Sequence, residues 1–87
     1  MGRRPRLRKI KIDFVLLTDA WGKAYAAEHR IELHKTMDDR LLLEIAAHEV
    51  AHVICDYLDE EAIALLGRHI GEVIHRLGFR RTEKGDE

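Results

Sequence analysis

Residues 38–57 read DDRLLLEIAAHEVAHVICDY, and this stretch decides the fold. Its apolar residues recur with a period near 3.6, which is typical of an α-helix. They go almost completely round the helical wheel, so we expect a buried helix from about Asp38 to Tyr57. Asp38 by itself, or Thr36 together with Asp39, can cap the free N–H groups at its start.

A second helix is predicted directly after the first, from about Glu60 to Leu77. Asp59 can cap its start, and Gly78 follows it as a C-terminal glycine, with Phe79 folding back on Ile74 in a Schellman closure. About three residues separate the two helices, which implies an αα-hairpin or corner. The apolar stripe that we expect in the core consists of Ile63, Leu66, Ile70, Val73, Ile74 and Leu77.

The region before the helices predicts strands. Residues 7–17 (LRKIKIDFVLL) alternate so that Ile10, Ile12 and Phe14 share one face, which indicates a strand with that face buried. Two shorter strands are predicted at residues 21–27 (WGKAYAA) and 30–34 (RIELH). The predicted fold class is therefore α+β, with a small, mostly antiparallel sheet followed by two helices.

Length and composition indicate one small domain. The chain has 87 residues, of which 46% are hydrophobic and 36% charged, and we assign residues 1–79 to the domain and 80–87 to a frayed tail. The single cysteine, Cys55, excludes an intramolecular disulfide. We find no signal-peptide pattern and no apolar run long enough to cross a bilayer, so a cytoplasmic protein without membrane contact is expected.

The charges are unevenly distributed, although the formal net charge is only −1. Residues 1–11 form a basic segment whose cations all precede the first acid, Asp13: Arg3, Arg4, Arg6, Arg8, Lys9 and Lys11. Such a segment can attract nucleic acid through its phosphates, or it can be a solvated tail or strand edge. Both interpretations remain open at this point.

The first predicted helix carries the motif HExxH at His48, Glu49 and His52. Residues four apart lie on one helical face, so both imidazoles can reach one zinc ion while Glu49 reaches a water molecule bound to it. Without a metal, the three side chains would be polar groups in an otherwise apolar helix, at a cost of several kcal/mol unless they find partners. We therefore expect a Zn²⁺ site with Glu49 as the general base.

Residues 41–79 resemble the small HExxH proteins of bacteria and their phages that are taken to be minimal zincins. The preceding segment, residues 21–34 (WGKAYAAEHRIELH), is similar in layout to SprT-like peptidases. The resemblance implies the fold of a zinc-dependent metallopeptidase that acts on a protein or peptide, without identifying the substrate.

The third zinc ligand is left open by the sequence. Residues 61–64 (EAIA) resemble the Glu-x-Ile-Ala pattern of gluzincins, which makes Glu61 the first choice. Glu60 lies nearer the apolar stripe, and His69 would be level with the motif in a tight helical hairpin. Cys55 is a further candidate, or simply a small buried residue, whereas Glu72 falls too far along the helix.

The expected reaction is peptide hydrolysis, with an extended substrate added to a sheet edge, such as the strand 30–34. Tyr57, His69 and His75 are candidate donors to the developing oxyanion, while Trp21 and Tyr25 are expected in the core or at its rim. The competing interpretation is a non-catalytic, zinc-stabilised phage or prophage regulatory module, or a DNA-associated one. An intact Glu49 favours the enzyme, because a closed structural site needs a fourth ligand and no base.

Overall fold

The computed structural model describes residues 4–82, and its order of elements confirms the predicted α+β class. Three short strands come first: β1 (Lys11–Val15), β2 (Gly22–Tyr25) and β3 (Arg30–His34). Two helices follow, α1 (Asp39–Ile54) and α2 (Glu60–Arg76). Arg3 of the predicted basic segment and residues 83–87 of the predicted tail lie outside the described residues.

The sheet is mixed rather than mostly antiparallel. Its strand order is β1-β3-β2, with β3 parallel to β1 and antiparallel to β2. The tight 3₁₀ turn Ala26–Glu28 joins β2 to β3 as a hairpin, and β3 then inserts beside β1. Because β3 is paired on both sides, the expectation that residues 30–34 offer a free edge to a substrate is wrong.

The core lies between β3 and α1. Ile31 and Leu33 of β3 and the following Met37 are almost fully buried, and α1 covers them with Leu42, Ile45 and other apolar side chains. The predicted burial of Ile12 and Phe14 is wrong, since both are exposed. The reason is that α1 packs over β2 and β3, which leaves β1 as an uncovered edge strand.

The helix ends follow the local sequence signals. The Asp38 carboxylate accepts a hydrogen bond from the Leu41 N–H at 2.8 Å, so Asp38 is the cap of α1. Asp59 caps α2 in the same way through the Ala62 N–H. At the end of α2, Gly78 has a φ of +96°, and the Phe79 N–H donates to the Ile74 carbonyl at 3.4 Å, which confirms the Schellman closure.

The helices are less buried than their apolar content predicts. The core stripe predicted for α2 is mostly wrong, because only Ile63 is fully buried, while Leu66, Ile70, Val73 and Leu77 remain exposed. The prediction of an α1 buried on all sides fails for the same reason: the sheet and α2 cover two of its faces, and a third is left open. Neither helix within residues 4–82 is both long and apolar enough to span a membrane.

Two glycines of α2 allow the helices to approach closely. A Cβ atom at Gly71 would lie 2.7 Å from the Glu44 nitrogen and 2.8 Å from its Cα, and one at Gly67 would lie 3.0 Å from the Glu44 carbonyl oxygen. These neighbours are backbone atoms that cannot rotate away. The α1–α2 contact therefore depends on the absence of side chains at both positions.

We expect Gly71→Ala to lower the free energy of unfolding by about 1–3 kcal/mol, the usual cost of forcing a methyl group into a tight contact. The loss should appear even though alanine is the better helix former by about 1 kcal/mol. Urea denaturation followed by circular dichroism measures the change. Arg68→Ala, at an exposed position of the same helix, is the matched control; equal stability of Gly71→Ala and the wild type would contradict the close-packing argument.

Candidate metal centre

The two motif histidines lie side by side on α1, as the spacing of four residues predicts. The centroids of the His48 and His52 rings are 5.0 Å apart. Both side chains are partly buried, and their Nε2 atoms point to the start of α2. One face of α1 thus presents two nitrogen donors to the same point.

Glu60, the first residue of α2, completes the group. Its Oε2 atom lies 3.0 Å from His48 Nε2, and its Oε1 atom lies 3.0 Å from His52 Nε2. One donor atom from each of the three residues lies within 4.8 Å of the others. The short connection between the helices returns the chain so that the beginning of α2 faces the last two turns of α1.

Glu61 does not join this group. It follows Glu60 on α2 and therefore points about 100° further round the helix, where its side chain is exposed. The structure favours the alternative Glu60 over the first choice made from the gluzincin-like pattern. The pattern specifies residue types, whereas the rotation of α2 about its own axis decides which of the two carboxylates faces the histidines.

The other candidates lie elsewhere. A rise of 1.5 Å per residue puts His69 about 14 Å and His75 about 22 Å along α2 from Glu60. His69 lines a separate pocket of about 270 Å³. Cys55 ends α1 and lines an apolar groove between the helices, and Tyr57 is exposed in the connection between them.

Trp21 and Tyr25 are rim residues that contribute to the surface of the sheet. Trp21 is exposed, with its ring centroid 5.2 Å from that of His34 in an edge-to-face arrangement. The Tyr25 hydroxyl donates to Glu32 at 3.0 Å, and the Arg30 guanidinium stacks over its ring at 4.0 Å. These contacts stabilise the β2–β3 pair. Neither aromatic side chain belongs to the group formed by His48, His52 and Glu60.

Glu49 is the one buried charged residue among those described, with 8% of its surface exposed. Burial raises the pKa of its carboxyl group, Glu60 raises it further, and the neighbouring His48 and His52 oppose the rise without cancelling it. A carboxylate with a raised pKa is a stronger base than an exposed one. Its environment therefore suits a group that accepts a proton and passes it on.

Gly22 gives Glu49 this environment, and sequence reasoning missed it. A Cβ atom at position 22 would lie 2.9 Å from Glu49 Cγ and 3.0 Å from its Oε2 atom. The start of β2 therefore runs directly against the buried carboxylate. The available signal was the glycine itself, because a glycine inside a predicted strand often marks a close backbone approach.

The donor set fits a divalent metal such as zinc. Zinc binds imidazole nitrogen at about 2.0–2.1 Å and carboxylate oxygen at similar distances, so a tetrahedral ion spaces its ligand atoms roughly 3.3 Å apart. Glu60 meets the two imidazole nitrogens through different carboxylate oxygens, each at 3.0 Å, and one donor atom from each of the three residues lies within 4.8 Å of the others, so the three side chains are close enough to share one ion. Two histidines with one glutamate are also a ligand set that catalytic zinc sites use.

Comparison of the chain with models of known protein families, with curated proteins and with solved structures finds no match.

We expect Glu60→Ala to weaken zinc binding by at least about 10²-fold, and Glu61→Ala to leave it nearly unchanged. The magnitude follows because a four-ligand zinc site is worth about 10–16 kcal/mol, or several kcal/mol per ligand. Competition with a chromophoric chelator measures the affinity, and His48→Ala or His52→Ala should abolish stoichiometric binding. Loss of zinc in Glu61→Ala but not in Glu60→Ala would restore Glu61 as the ligand.

Proposed function

We propose that this protein is a small zinc-dependent metallopeptidase of the minimal zincin type, similar to SprT-like and gluzincin-like enzymes. The observation that carries the proposal is the group formed by His48, His52 and Glu60 beside the buried Glu49. The group combines three metal donors with one carboxylate that is not among them. This division of roles is the one that HExxH hydrolysis requires.

The number of donors supports an open rather than a closed metal site. Among residues 4–82, the group contains three donor side chains, and no fourth histidine, cysteine or carboxylate belongs to it. Structural zinc sites are nearly always closed by four protein ligands, whereas catalytic sites keep one position for water or substrate. We assign the three protein positions to His48, His52 and Glu60.

The chemistry of the proposed site divides between the metal and the chain. When bound, zinc supplies a Lewis acid that lowers the pKa of water towards about 7 and polarises a carbonyl group. Glu49 takes the proton from the attacking water and passes it to the leaving amine. The imidazoles and Glu60 would hold the ion, and the backbone of Gly22 lies against one side of the Glu49 carboxylate, where it limits access of bulk solvent.

The free edge of β2 is the proposed binding site for an extended peptide. In the part of the chain that the structure describes, β2 is paired only with β3, so its other side offers main-chain donors and acceptors to an added strand. The first residue of β2, Gly22, is in contact range of Glu49. A peptide on this edge would therefore run past the Glu49 carboxylate. The central strand β3 has no free edge and cannot bind a peptide in this way.

A cytoplasmic setting remains part of the proposal. Cys55 is a free thiol, and a reducing compartment preserves it without a disulfide partner. The sequence pattern and the small size of the domain fit a bacterial or phage-related protein that acts on unfolded or extended chains.

The alternative function is a zinc-stabilised or DNA-associated module, and one observation favours an association with nucleic acid. Arg4, Arg6, Arg8 and Lys9 are all exposed, and they form none of the ion pairs found within residues 4–82. Their charge is available to phosphates. A peptidase that acts near DNA would combine this segment with the same metal centre.

We expect Glu49→Gln to retain zinc and the fold but to lower peptide hydrolysis by about 10²–10⁴-fold, the usual worth of a positioned general base. The substitution preserves side-chain size and removes the proton acceptor. Cleavage of an unfolded, fluorescently labelled protein measures activity, and zinc content and circular dichroism are recorded on the same samples.

Glu61→Gln is the matched control for this experiment, because it makes the same chemical change at an exposed neighbour of the site and should keep full activity. Wild-type protein that holds zinc but cleaves no unfolded substrate would support the structural module. Undiminished turnover in Glu49→Gln would show that another group accepts the proton.

We also expect the combined change of Arg4, Arg6 and Arg8 to alanine to weaken DNA binding and to flatten its salt dependence. Each lost phosphate contact reduces the slope of log K against log salt by about 0.9. Fluorescence anisotropy with a labelled duplex at several salt concentrations measures both quantities. Arg68→Ala and Arg76→Ala, on α2, are the controls. If they weaken DNA binding as much as the N-terminal changes do, the DNA is attracted by the overall charge and not by the basic segment.

A further inference from the structure

One face of the α1–α2 hairpin contacts neither the sheet nor the metal centre, and this face is apolar. A groove of about 440 Å³ runs between α1 and α2. Its walls contain no charged side chain and none of the residues of the metal centre, and they are formed by Leu43, Ala46, Ala47, Val50, Ala51, Ile54, Cys55, Leu66, Ile70 and Ile74. The alanines and the cysteine lie between larger side chains from both helices.

A ridge of larger side chains on α2 forms one wall of the groove and continues beyond it. Leu66, Ile70, Val73 and Leu77 follow one another at intervals of four, three and four residues, and between 37% and 67% of each is exposed. This is the spacing by which one helix packs its seam against another helix. Val73 and Leu77 extend the apolar surface beyond the groove.

Within residues 4–82, no other element of the chain covers this surface. α2 packs mainly on α1, and the sheet contacts the other side of α1. The residues outside the described range contain one large apolar side chain, Met1, while residues 83–87 are EKGDE and carry four charged groups. Those residues have the wrong chemistry to fill an uncharged groove.

We propose that this face is the interface of a homodimer in which the α2 ridge of each copy packs into the groove of the other. A two-fold interface requires one surface to be complementary to itself. A ridge next to a groove on the same face meets this requirement, because a two-fold rotation brings each ridge opposite a groove.

The size of the face fits a modest dimer. A helix of 17 residues is about 25 Å long, and two helices packed 8–10 Å apart present a width of about 20 Å, so the flat footprint is on the order of 500 Å². This footprint is smaller than the roughly 800 Å² that standard interfaces bury on each partner, so the expected dimer is weak and depends on protein concentration. Self-association is also a usual source of stability for domains with a small core.

Sedimentation velocity of the full-length protein between about 1 μM and about 1 mM tests the proposal over the range of weak to moderate affinities. We expect a reversible monomer–dimer equilibrium in the wild type and monomer throughout for Ile70→Glu. Leu65→Glu, at an exposed position of α2 that does not line the groove, should dimerise like the wild type. Circular dichroism and zinc content establish that each variant is folded.

Two further measurements keep the proposal testable if Ile70→Glu does not fold. Val73→Lys places a charge on the ridge outside the groove and should also give a monomer. In the wild type, alkylation of Cys55, the single thiol of the chain, should slow as protein concentration rises. A wild-type protein that is monomeric at every concentration, or a dimer that survives both ridge substitutions, would overturn the assignment.

Discussion

The close contact between α1 and α2 is the constraint on which the candidate metal centre depends. Gly67 lies directly against the turn of α1 that carries His48, since a Cβ atom there would be 3.2 Å from His48 Cβ. Glu60 precedes Gly67 by two helical turns, so fixing the contact at Gly67 also fixes where α2 begins. Larger residues at this contact would separate the helices and move the Glu60 carboxylate away from both imidazoles.

The sheet supplies a second constraint through the burial of Glu49. A carboxylate removed from water loses hydration, and this cost is acceptable only if other interactions offset it. Among residues 4–82, the buried apolar residues form a small core of five: Ile31, Leu33, Met37, Ala51 and Ile63. A metal held by α1 and α2 together would link the two helices and add binding free energy to folding. The proposed site would therefore stabilise the fold as well as serve the proposed chemistry.

The parts of the fold that local interactions determine were predictable from the sequence. The Asp38 and Asp59 caps and the Gly78 closure depend on neighbouring residues only, and the structure has all three. Strand order was not predictable, because parallel pairing of β1 with β3 depends on contacts far apart in sequence. The exposure of Phe14 has the same origin: alternation identifies a face, but the position of α1 decides whether that face is covered.

The same distinction explains the metal donors and the apolar face. Spacing alone brings His48 and His52 together. Which of Glu60 and Glu61 faces them depends on the rotation of α2 about its axis, and the close contact at Gly67 and Gly71 fixes that rotation. The apolar content of α1 predicted burial on all sides, but within residues 4–82 only the sheet and α2 pack against it, so a third apolar face is left open. Because the groove residues and the metal donors are separate sets, a second copy could cover the third face while the centre at Glu60 stays accessible.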